Sequence, residues 1–474
     1  MRTAAARLTL LAALLAGAAP AGAAAPPPRA IEGHWTGQLM NLRVVIHIRA
    51  DADGTLRGTI DSPDQNATGL QADSVTLVQD SLHIDVASIG ARFDGRFDAS
   101  MRTITGLWQQ GPARVPLVLR KGETTAEGRR PQDPVPPYPY QAEEVSYVSP
   151  VGGVRLAGTL TLPERTGPCP AVLLLSGSGP QDRDETIFGH RPFLVLADFL
   201  ARRGIAVLRV DDRGVGGSGG QLSRATLSDL AGDALAGLAY LRARSEVDSS
   251  RIGLIGHSEG GIVGSLAAVR ARGAVKFLVL LSGVGVPGDD LLRRQSATMA
   301  RLQGASPLLV EKQDEIQARL YSVLKEDADS ASLAPRVRKI AAELVALIPE
   351  EQVSAAGGRE AVVDKQMPAL LSPSFRSLVS SDPRPALAAV RCPVLALSGA
   401  KDVQVPAHDN LAAIAAALKA GGSTDVTTRE LPDLNHLLQT CQTGSIAEYA
   451  ALDETIAPAA LQLIARWIQG KTAR

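Results

Sequence analysis

The strongest structural signal in this chain of 474 residues is the segment Arg251-Ile-Gly-Leu-Ile-Gly-His-Ser-Glu-Gly-Gly261. It begins as a short apolar run typical of a buried strand, and the residues after it have the periodicity of a helix. At the junction lies the pattern Gly-x-Ser-x-Gly, centred on Ser258. Glycines suit a sharp strand-to-helix turn, because backbone segments approach closely there and lift the serine hydroxyl above the sheet. An ordinary glycine-rich turn is the alternative, but the flanking strand and helix favour a nucleophilic serine.

Apolar runs alternate with amphipathic segments on both sides of this motif. Patterns typical of strands occupy residues 154–162, 171–175, 205–210, 252–255, 277–281 and 394–397. Patterns typical of helices occupy residues 194–203, 227–244 and 262–271. This alternation predicts an α/β domain with a mainly parallel sheet and helices on both faces. From about 286 to 390 the strand signals stop, and charged segments rich in Ala and Leu predict a helical cap insertion.

A different pattern occupies the first part of the chain. Over residues 31–122 apolar and polar side chains alternate with a period of two, which is typical of strands. The pairs Asp53-Gly54 and Asp94-Gly95 are hairpin turn signals, so we expect a small antiparallel β-domain. Prolines predict an extended linker over residues 123–142, which places the α/β domain at 143–474.

Residues 1–25 predict a secretory signal peptide. Arg2 and Arg7 precede an apolar run over residues 8–16, and small residues suited to cleavage follow it. The run is shorter than the roughly 20 residues that a membrane-spanning helix needs, and no later run is long enough. We therefore expect an exported protein, periplasmic or extracellular, without stable membrane insertion.

The charge balance bears on the binding partners. Lys and Arg together number 49, as do Asp and Glu, so the formal net charge is zero. This composition offers no basic surface that would hold a phosphate backbone, and we expect no nucleic-acid partner. The sequence indicates no oligomeric state.

A serine hydroxyl is a weak nucleophile at neutral pH and needs a general base. Only two of the seven histidines, His408 and His436, follow Ser258 in the chain. His436 lies in a loop after the strand-like residues 426–431, where the carboxyl edge of a parallel sheet would place it. His408 opens a helical segment and suits a solvated or capping position. We therefore predict His436 as the base.

The base in turn needs a carboxylate that orients it. Asp402 follows directly on the buried strand 394–397, and it precedes His436 in the chain order serine, acid, histidine. Asp433 is the rival, but it shares the loop of His436 and no strand end positions it. We therefore favour Asp402 as the acid.

Acyl transfer also requires hydrogen-bond donors for the oxyanion that develops on the substrate carbonyl. The backbone N–H of Glu259, the residue after the serine, is one candidate. The second should come from the glycine-rich loop that follows strand 171–175. There we choose the N–H of Ser178, with Gly177 and Gly179 as alternatives.

The same loop continues with the charged residues Asp182, Arg183, Asp184 and Glu185. These side chains form surface ion pairs in the simpler interpretation. If the loop faces the site instead, the carboxylates of Asp182, Asp184 and Glu185 are candidates to bind a substrate amine.

Together these motifs resemble the α/β-hydrolase superfamily, and specifically bacterial exported esterase- and peptidase-like hydrolases with a serine aminopeptidase (S33-like) domain. The resemblance covers roughly residues 143 to 474, and the N-terminal β-domain stands outside it. Its most specific parts are residues 177–184, 211–218, 256–260, Asp402 with 404–406, and 434–436. It implies Ser258 as nucleophile, Asp402 as acid and His436 as base, with no metal or other cofactor. One departure is Ser176-Gly177, where the family has His-Gly before the oxyanion residue.

The leading prediction is therefore an exported serine hydrolase that cleaves carboxylic ester bonds through an acyl-enzyme intermediate. The alternative within enzymes is an aminopeptidase or a hydrolase of small-peptide amides. A non-catalytic binding protein is the third hypothesis, and the serine, acid and histidine argue against it. The expected partner is a small-molecule ester or peptide substrate.

Overall fold

The computed structural model describes residues 31–473 apart from 40–41, 52–53, 63–66, 111–112, 122–129, 165–166, 303 and 356. The chain forms two compact units, Met1–Glu127 and Gly128–Arg474. The signal peptide predicted over residues 1–25 lies outside the described residues. No helix in the described part of the chain is long and apolar enough to cross a membrane.

The first unit is an antiparallel β half-barrel built from one nine-stranded sheet. Strands that follow one another in the chain are paired in the sheet, except the fourth and fifth, which form its two edges. The first strand also pairs with the ninth. Alternate side chains, among them Trp35, Ile46, Phe93 and Leu117, fill one apolar core, as the period of two predicts. The strands are β1 (Gly33–Leu39), β2 (Leu42–Ala50), β3 (Leu56–Ser62), β4 (Ala67–Gln71), β5 (Ser74–Val78), β6 (Ser81–Val86), β7 (Ala91–Phe97), β8 (Thr103–Gln110) and β9 (Ala113–Lys121).

The two predicted hairpin turns have different outcomes. Gly54 lies between β2 and β3 with a φ of +85° and donates its N–H to the Asp51 carbonyl, as a turn requires. Asp94-Gly95 instead lies inside β7, so that turn prediction is wrong. A Cβ at Gly95 would come within 2.6 Å of the Phe93 ring. The glycine therefore makes room for a core aromatic rather than for a turn.

The second unit contains an eight-stranded sheet. Its first two strands are antiparallel to each other, the second also pairs antiparallel with β13, and all remaining neighbours are parallel. The order across the sheet is β10-β11-β13-β12-β14-β15-β16-β17. The bounds are β10 (Tyr140–Val148), β11 (Arg155–Pro163), β12 (Cys169–Leu175), β13 (Ala206–Val210), β14 (Val247–His257), β15 (Leu278–Leu281), β16 (Val394–Gly399) and β17 (Val426–Leu431).

The central strands contain continuous apolar runs because both faces of the sheet are covered. Leu173 on β12 belongs to the core on one face and its neighbour Val172 to the core on the other. The first core is closed by α2 (Leu227–Arg242), α3 (Glu259–Arg270) and α11 (Ala407–Ala420). The second is closed by α1 (Pro192–Ala201) and α13 (Pro458–Thr472), and α12 (Ile446–Tyr449) is a single short turn.

Between β15 and β16, where the sequence predicts only helical structure, the described residues form seven helices. Leu320, Leu324, Val337 and Val379 form part of a separate apolar core among them. The helices are α4 (Gly288–Leu302), α5 (Pro307–Leu324), α6 (Ser330–Val345), α7 (Glu350–Ala355), α8 (Arg359–Leu370), α9 (Pro373–Val379) and α10 (Pro383–Ala389).

The second half of the segment predicted as a linker over residues 123–142 is not a linker in the structure. The Arg130 guanidinium donates to the carbonyls of Phe188, Ala450 and Leu452, and strand β10 already begins at Tyr140. Residues 130–142 therefore belong to the second unit. Proline content indicates an extended backbone, but it does not reveal a side chain that anchors that backbone to distant loops.

Candidate active site

Ser258 lies in the turn between β14 and α3. Its φ of 53° and ψ of −120° fall in a region that non-glycine residues rarely occupy, at a cost of roughly 1–3 kcal/mol. The Ser258 N–H donates to the Leu281 carbonyl on the neighbouring strand at 2.9 Å, which holds the turn against the sheet. The backbone conformation is thus that of the strained turn that the motif predicts.

The two glycines of the motif are required by close backbone contacts. A Cβ at Gly256 would lie 2.2 Å from the Gly260 carbonyl oxygen, and a Cβ at Gly260 would lie 2.2 Å from the Leu175 carbonyl oxygen. Real Cβ atoms do not approach oxygen so closely, so any larger residue would force the turn away from β12.

The predicted acid and base are in direct contact. His436 Nδ1 lies 2.7 Å from Asp402 Oδ2, and both side chains are buried. The other carboxylate oxygen, Asp402 Oδ1, accepts the N–H groups of Gln404 at 2.9 Å and Val405 at 2.8 Å. These bonds fix the carboxylate, and the carboxylate fixes the imidazole with its proton on Nδ1. His436 Nε2 therefore has the lone pair that a general base needs.

No hydrogen bond joins Ser258 to His436 in the described part of the chain. Among the described residues, the Ser258 hydroxyl has no hydrogen-bond partner. The neighbouring residue His257 contacts the His436 carbonyl oxygen at 3.2 Å, and the two imidazole rings are 4.8 Å apart between centroids. In enzymes without substrate, catalytic hydrogen bonds are often long and tighten on binding.

The rivals of the predicted acid and base lie elsewhere. His408 is exposed in the first turn of α11. Asp433 is also exposed and forms an ion pair of 2.8 Å with Lys401. Neither contacts the pair formed by Asp402 and His436.

The glycine-rich loop after β12 supplies one predicted oxyanion donor. Gly177 N–H is already donated to Glu185 Oε1 at 2.7 Å, which removes Gly177 as an alternative. The N–H of Ser178 has no partner among the described residues. The N–H of Glu259 is at the first position of α3, where no intrahelical acceptor exists. Both predicted donors are thus available to a ligand.

The predicted amine-binding carboxylates already have partners, either within their own loop or on β13 and His257. Asp182 accepts the N–H of Asp184 at 3.0 Å and both the N–H and the hydroxyl of Thr186 at 2.9 and 2.7 Å. Asp184 pairs with the buried Arg209, and Glu185 is itself buried. The assignment of these three carboxylates to a substrate amine is therefore corrected, since they maintain the loop.

A comparison of the sequence with the patterns of known protein families identifies the family, and the match lies in the second unit. The pattern of the X-Pro dipeptidyl-peptidase family, S15, matches residues 152–426, which is more than half of the chain. The chain belongs to the X-Pro dipeptidyl-peptidase (S15) family. The predicted α/β-hydrolase superfamily is thereby confirmed, and the family found within it is S15, where the sequence resemblance suggested an S33-like domain. The protein is a serine hydrolase, with esterase and peptidase activities both represented among its relatives.

Named relatives of this S15-family chain include esterases. Esterase EstD of Thermotoga maritima is 32% identical over 151 residues, which are 32% of this chain and 36% of EstD. The chain thus spans about a third of the length of this curated relative. Among solved structures, an esterase of Pyrococcus furiosus aligns with 16% identity and a TM-score of 0.43, over 70% of this chain and 91% of that one. The α/β hydrolase GrgF from Penicillium aligns with 15% identity and a TM-score of 0.45, over 70% and 100%.

Two further carboxyls of the S15-family protein share one cavity with the glycine-rich loop after β12, and the sequence analysis gave neither side chain a role. Burial raises the pKa of the Glu259 side chain to about 7. Burial likewise raises the pKa of Asp212 to about 7, although hydrogen bonds from the Ser176 hydroxyl and the Gln181 N–H act to lower it. Asp212 belongs to a loop after β13, and no spacing in the sequence connects that loop with Ser258.

A cleft of about 490 Å³ opens at the predicted oxyanion donors. Its lining includes Ser178 and Glu259 together with residues of α9 and its approach, among them Phe375 and Leu378. A second cavity of about 70 Å³ lies behind Glu259 and reaches Asp212. No group of three or more His, Cys, Asp or Glu side chains within the described ranges has the arrangement of a metal site.

Proposed function

We propose that this S15-family protein is an exported carboxylesterase that acts through Ser258, His436 and Asp402. The observation that supports it most is the buried bond between His436 and Asp402, beside a serine held in a strained turn. Such a serine gains nothing structurally from its conformation, because a glycine would adopt it at lower cost. A hydroxyl retained there is best explained by chemistry.

In the proposed reaction Ser258 Oγ attacks the acyl carbon of the ester, and His436 Nε2 takes the hydroxyl proton. The oxyanion of the tetrahedral intermediate accepts hydrogen bonds from the N–H groups of Ser178 and Glu259. The ester C–O bond then breaks, and His436 returns the proton to the leaving alkoxide. Water attacks the acyl-enzyme by the same route in reverse, which releases the carboxylic acid and restores Ser258.

The helices between β15 and β16 are proposed as the cap that selects the substrate. Phe375 and Leu378 line the same cleft as Ser178 and Glu259. An apolar lining next to the proposed oxyanion donors favours an apolar acyl group, because its burial removes hydrocarbon surface from water.

A peptidase or aminoacyl hydrolase is the second candidate, and one observation favours it. The Glu259 carboxyl lines the cleft and has no hydrogen-bond partner among the described residues. A protonated substrate amine would form an ion pair with it and keep it ionised in a site where burial alone raises its pKa. Glu259 therefore replaces Asp182, Asp184 and Glu185 as the proposed amine-binding residue.

The test is hydrolysis of two matched panels. One contains p-nitrophenyl esters of increasing acyl length, and the other contains aminoacyl nitroanilides with free or acetylated amines. We expect esters to be preferred, and Ser258→Ala to abolish their turnover. A preference for anilides with a free amine, lost on acetylation and in Glu259→Gln, would favour the second candidate. No labelling of Ser258 by a fluorophosphonate would contradict both and favour a binding protein.

Export is proposed from the sequence of residues 1–25. Expression of the full chain in a bacterial host, followed by fractionation, tests it directly. We expect the protein in the periplasm or medium, with a new amino terminus close to Pro26. An intact Met1 on cytosolic protein would contradict export without affecting the proposed chemistry.

A further inference from the structure

Both ring nitrogens of His257 face oxygen acceptors. His257 Nδ1 lies 2.8 Å from Glu185 Oε1, and Nε2 lies 3.2 Å from the carbonyl oxygen of His436. A carbonyl oxygen can only accept, and an ionised carboxylate can only accept. A neutral imidazole has one N–H and cannot donate to both groups. The geometry thus matches an imidazolium paired with a carboxylate.

This pair joins the three loops that hold the proposed chemistry. Glu185 Oε1 also accepts the N–H of Gly177, the residue before the predicted oxyanion donor. His257 is the residue before Ser258. Through its second nitrogen, His257 holds the backbone of His436, whose carbonyl also accepts the Ser282 hydroxyl at 2.8 Å.

We propose that His257 is a positioning residue that acts as an imidazolium, and that loss of its proton at alkaline pH releases the oxyanion loop or the His436 loop from the Ser258 turn. The proposal rests on the proposed function of Ser258 and His436. A neutral His257 keeps only one of its two bonds, so the mutual placement of the three loops loosens. His257 does not touch the substrate, and it acts through the groups that do.

The surroundings of His257 define when the proton is lost. Glu185 faces it from the loop after β12, Asp402 from the loop after β16, and the His436 ring from the loop after β17. Phe193 and Leu281 are among the apolar residues packed against His257 and Glu185. Burial opposes the charge, but the Glu185 carboxylate, the hydrogen bond to the His436 carbonyl and then the Asp402 carboxylate outweigh it and raise the pKa of His257 above its usual value. The positioning effect is therefore present at neutral pH and lost as pH rises through that raised pKa.

The first experiment measures kcat and KM of ester hydrolysis, and the rate of fluorophosphonate labelling, from pH 5 to 10. The wild type should lose activity on the alkaline side. In Glu185→Gln, which keeps the shape but removes the charge, the midpoint of that loss should move down by roughly one to three pH units. In His257→Asn the alkaline loss should disappear, with kcat about tenfold to hundredfold lower. KM should change little, because His257 is absent from the cleft lining.

His190→Asn is the matched control. His190 is equally buried, and its ring nitrogens contact the Thr455 hydroxyl and the Tyr449 carbonyl. Its substitution should lower stability but leave the alkaline midpoint unchanged. If Glu185→Gln leaves the midpoint of the wild type in place, the positioning proposal is overturned even though Ser258 reacts.

A second experiment determines the protonation state of His257 without measuring catalytic activity. ¹⁵N-edited NMR of the histidine rings at pH 7 should give two N–H signals for His257, assigned by their disappearance in His257→Asn. The same spectrum is expected for Ser258→Ala, so the result does not depend on activity. A single ring N–H at pH 7 would overturn the imidazolium. A Ser258 that reacts at no pH would instead overturn the proposed function.

Discussion

His436 Nδ1 and Asp402 Oδ2 lie 2.7 Å apart, although 34 residues separate them in the chain. The register of the sheet explains this contact. Strands β16 and β17 are parallel and paired up to Gly399 and Leu431, so both loops leave the sheet at the same edge. Asp402 follows three residues after the first strand end, and His436 follows five residues after the second. The shared edge thus brings the predicted acid to the predicted base.

Asp402→Asn should lower kcat for p-nitrophenyl acetate by about 10³–10⁴-fold at pH 7, because an amide no longer holds the imidazole with its proton on Nδ1. Asp433→Asn is the control on the neighbouring loop, where the exposed carboxylate pairs with Lys401. It should change kcat less than about twofold, as surface ion pairs contribute little. Equal losses in the two variants would show that the acid was misassigned.

The contact between Asp402 and His436 could be predicted from sequence because it depends on strands. Buried parallel strands are continuous apolar runs, and functional residues follow their carboxyl ends. Ser258 and Asp402 each come shortly after such a run, and His436 follows β17, a strand of mixed polarity at the edge of the sheet. The strained backbone at Ser258 was also predictable, because the Gly-x-Ser-x-Gly motif specifies a local turn and does not depend on a distant contact.

Contacts between loops could not be predicted in this way. Glu185 meets His257 across 72 residues, and Asp212 meets Ser176 across 36, with no periodicity to indicate either pair. The sequence could therefore offer the charged loop after β12 only as surface ion pairs or as a candidate amine site, whereas its carboxylates bind their own loop, Arg209 and His257. The hairpin turn predicted at Asp94-Gly95 was wrong for a different reason. A glycine that makes room for a core aromatic ring gives the same Asp-Gly pair in the sequence as a glycine in a hairpin turn.

Gly260→Ala should destabilise the second unit by about 1–3 kcal/mol, because the added methyl would meet the Leu175 carbonyl oxygen at 2.2 Å. The matched control is Gly470→Ala on α13, where no atom lies within 4 Å of the new Cβ. Alanine there should stabilise the helix by about 0.5–1 kcal/mol. Calorimetric transition temperatures of the two variants should thus move in opposite directions. A Gly260→Ala transition equal to that of the wild type would contradict the close contact.

Glu259→Gln should alter stability in a pH-dependent way. Burial raises the pKa of the wild-type carboxyl from 4.5 to about 7, so the folded protein binds this proton more tightly than the unfolded chain. The stabilisation is complete below pH 4.5 and is lost as pH rises towards 7, at a cost of at most about 3 kcal/mol. The neutral amide avoids that loss. Urea unfolding should therefore find the variant more stable than the wild type at pH 8, with the difference shrinking towards pH 5.

The control for this prediction is Glu311→Gln, at an exposed position on α5. Its stability difference from the wild type should be small at both pH values. If Glu259→Gln behaves like Glu311→Gln, the Glu259 carboxyl is solvated, and its proposed role in holding a substrate amine loses its physical basis.

Phe375→Ala should shorten the preferred acyl chain of the ester substrate. Phe375 lines the cleft that also contains the proposed oxyanion donors, and its helix is capped by the Ser372 hydroxyl. Truncation removes apolar contact that only a long acyl group reaches, so kcat/KM for p-nitrophenyl octanoate should fall about tenfold while that for the acetate is nearly unchanged. Phe199→Ala removes a partly buried aromatic ring from the opposite face of the sheet, and it should leave the ratio of the two esters unaltered. A ratio that is also unaltered in Phe375→Ala would mean that the acyl group lies elsewhere, and the helices between β15 and β16 would lose their proposed part in specificity.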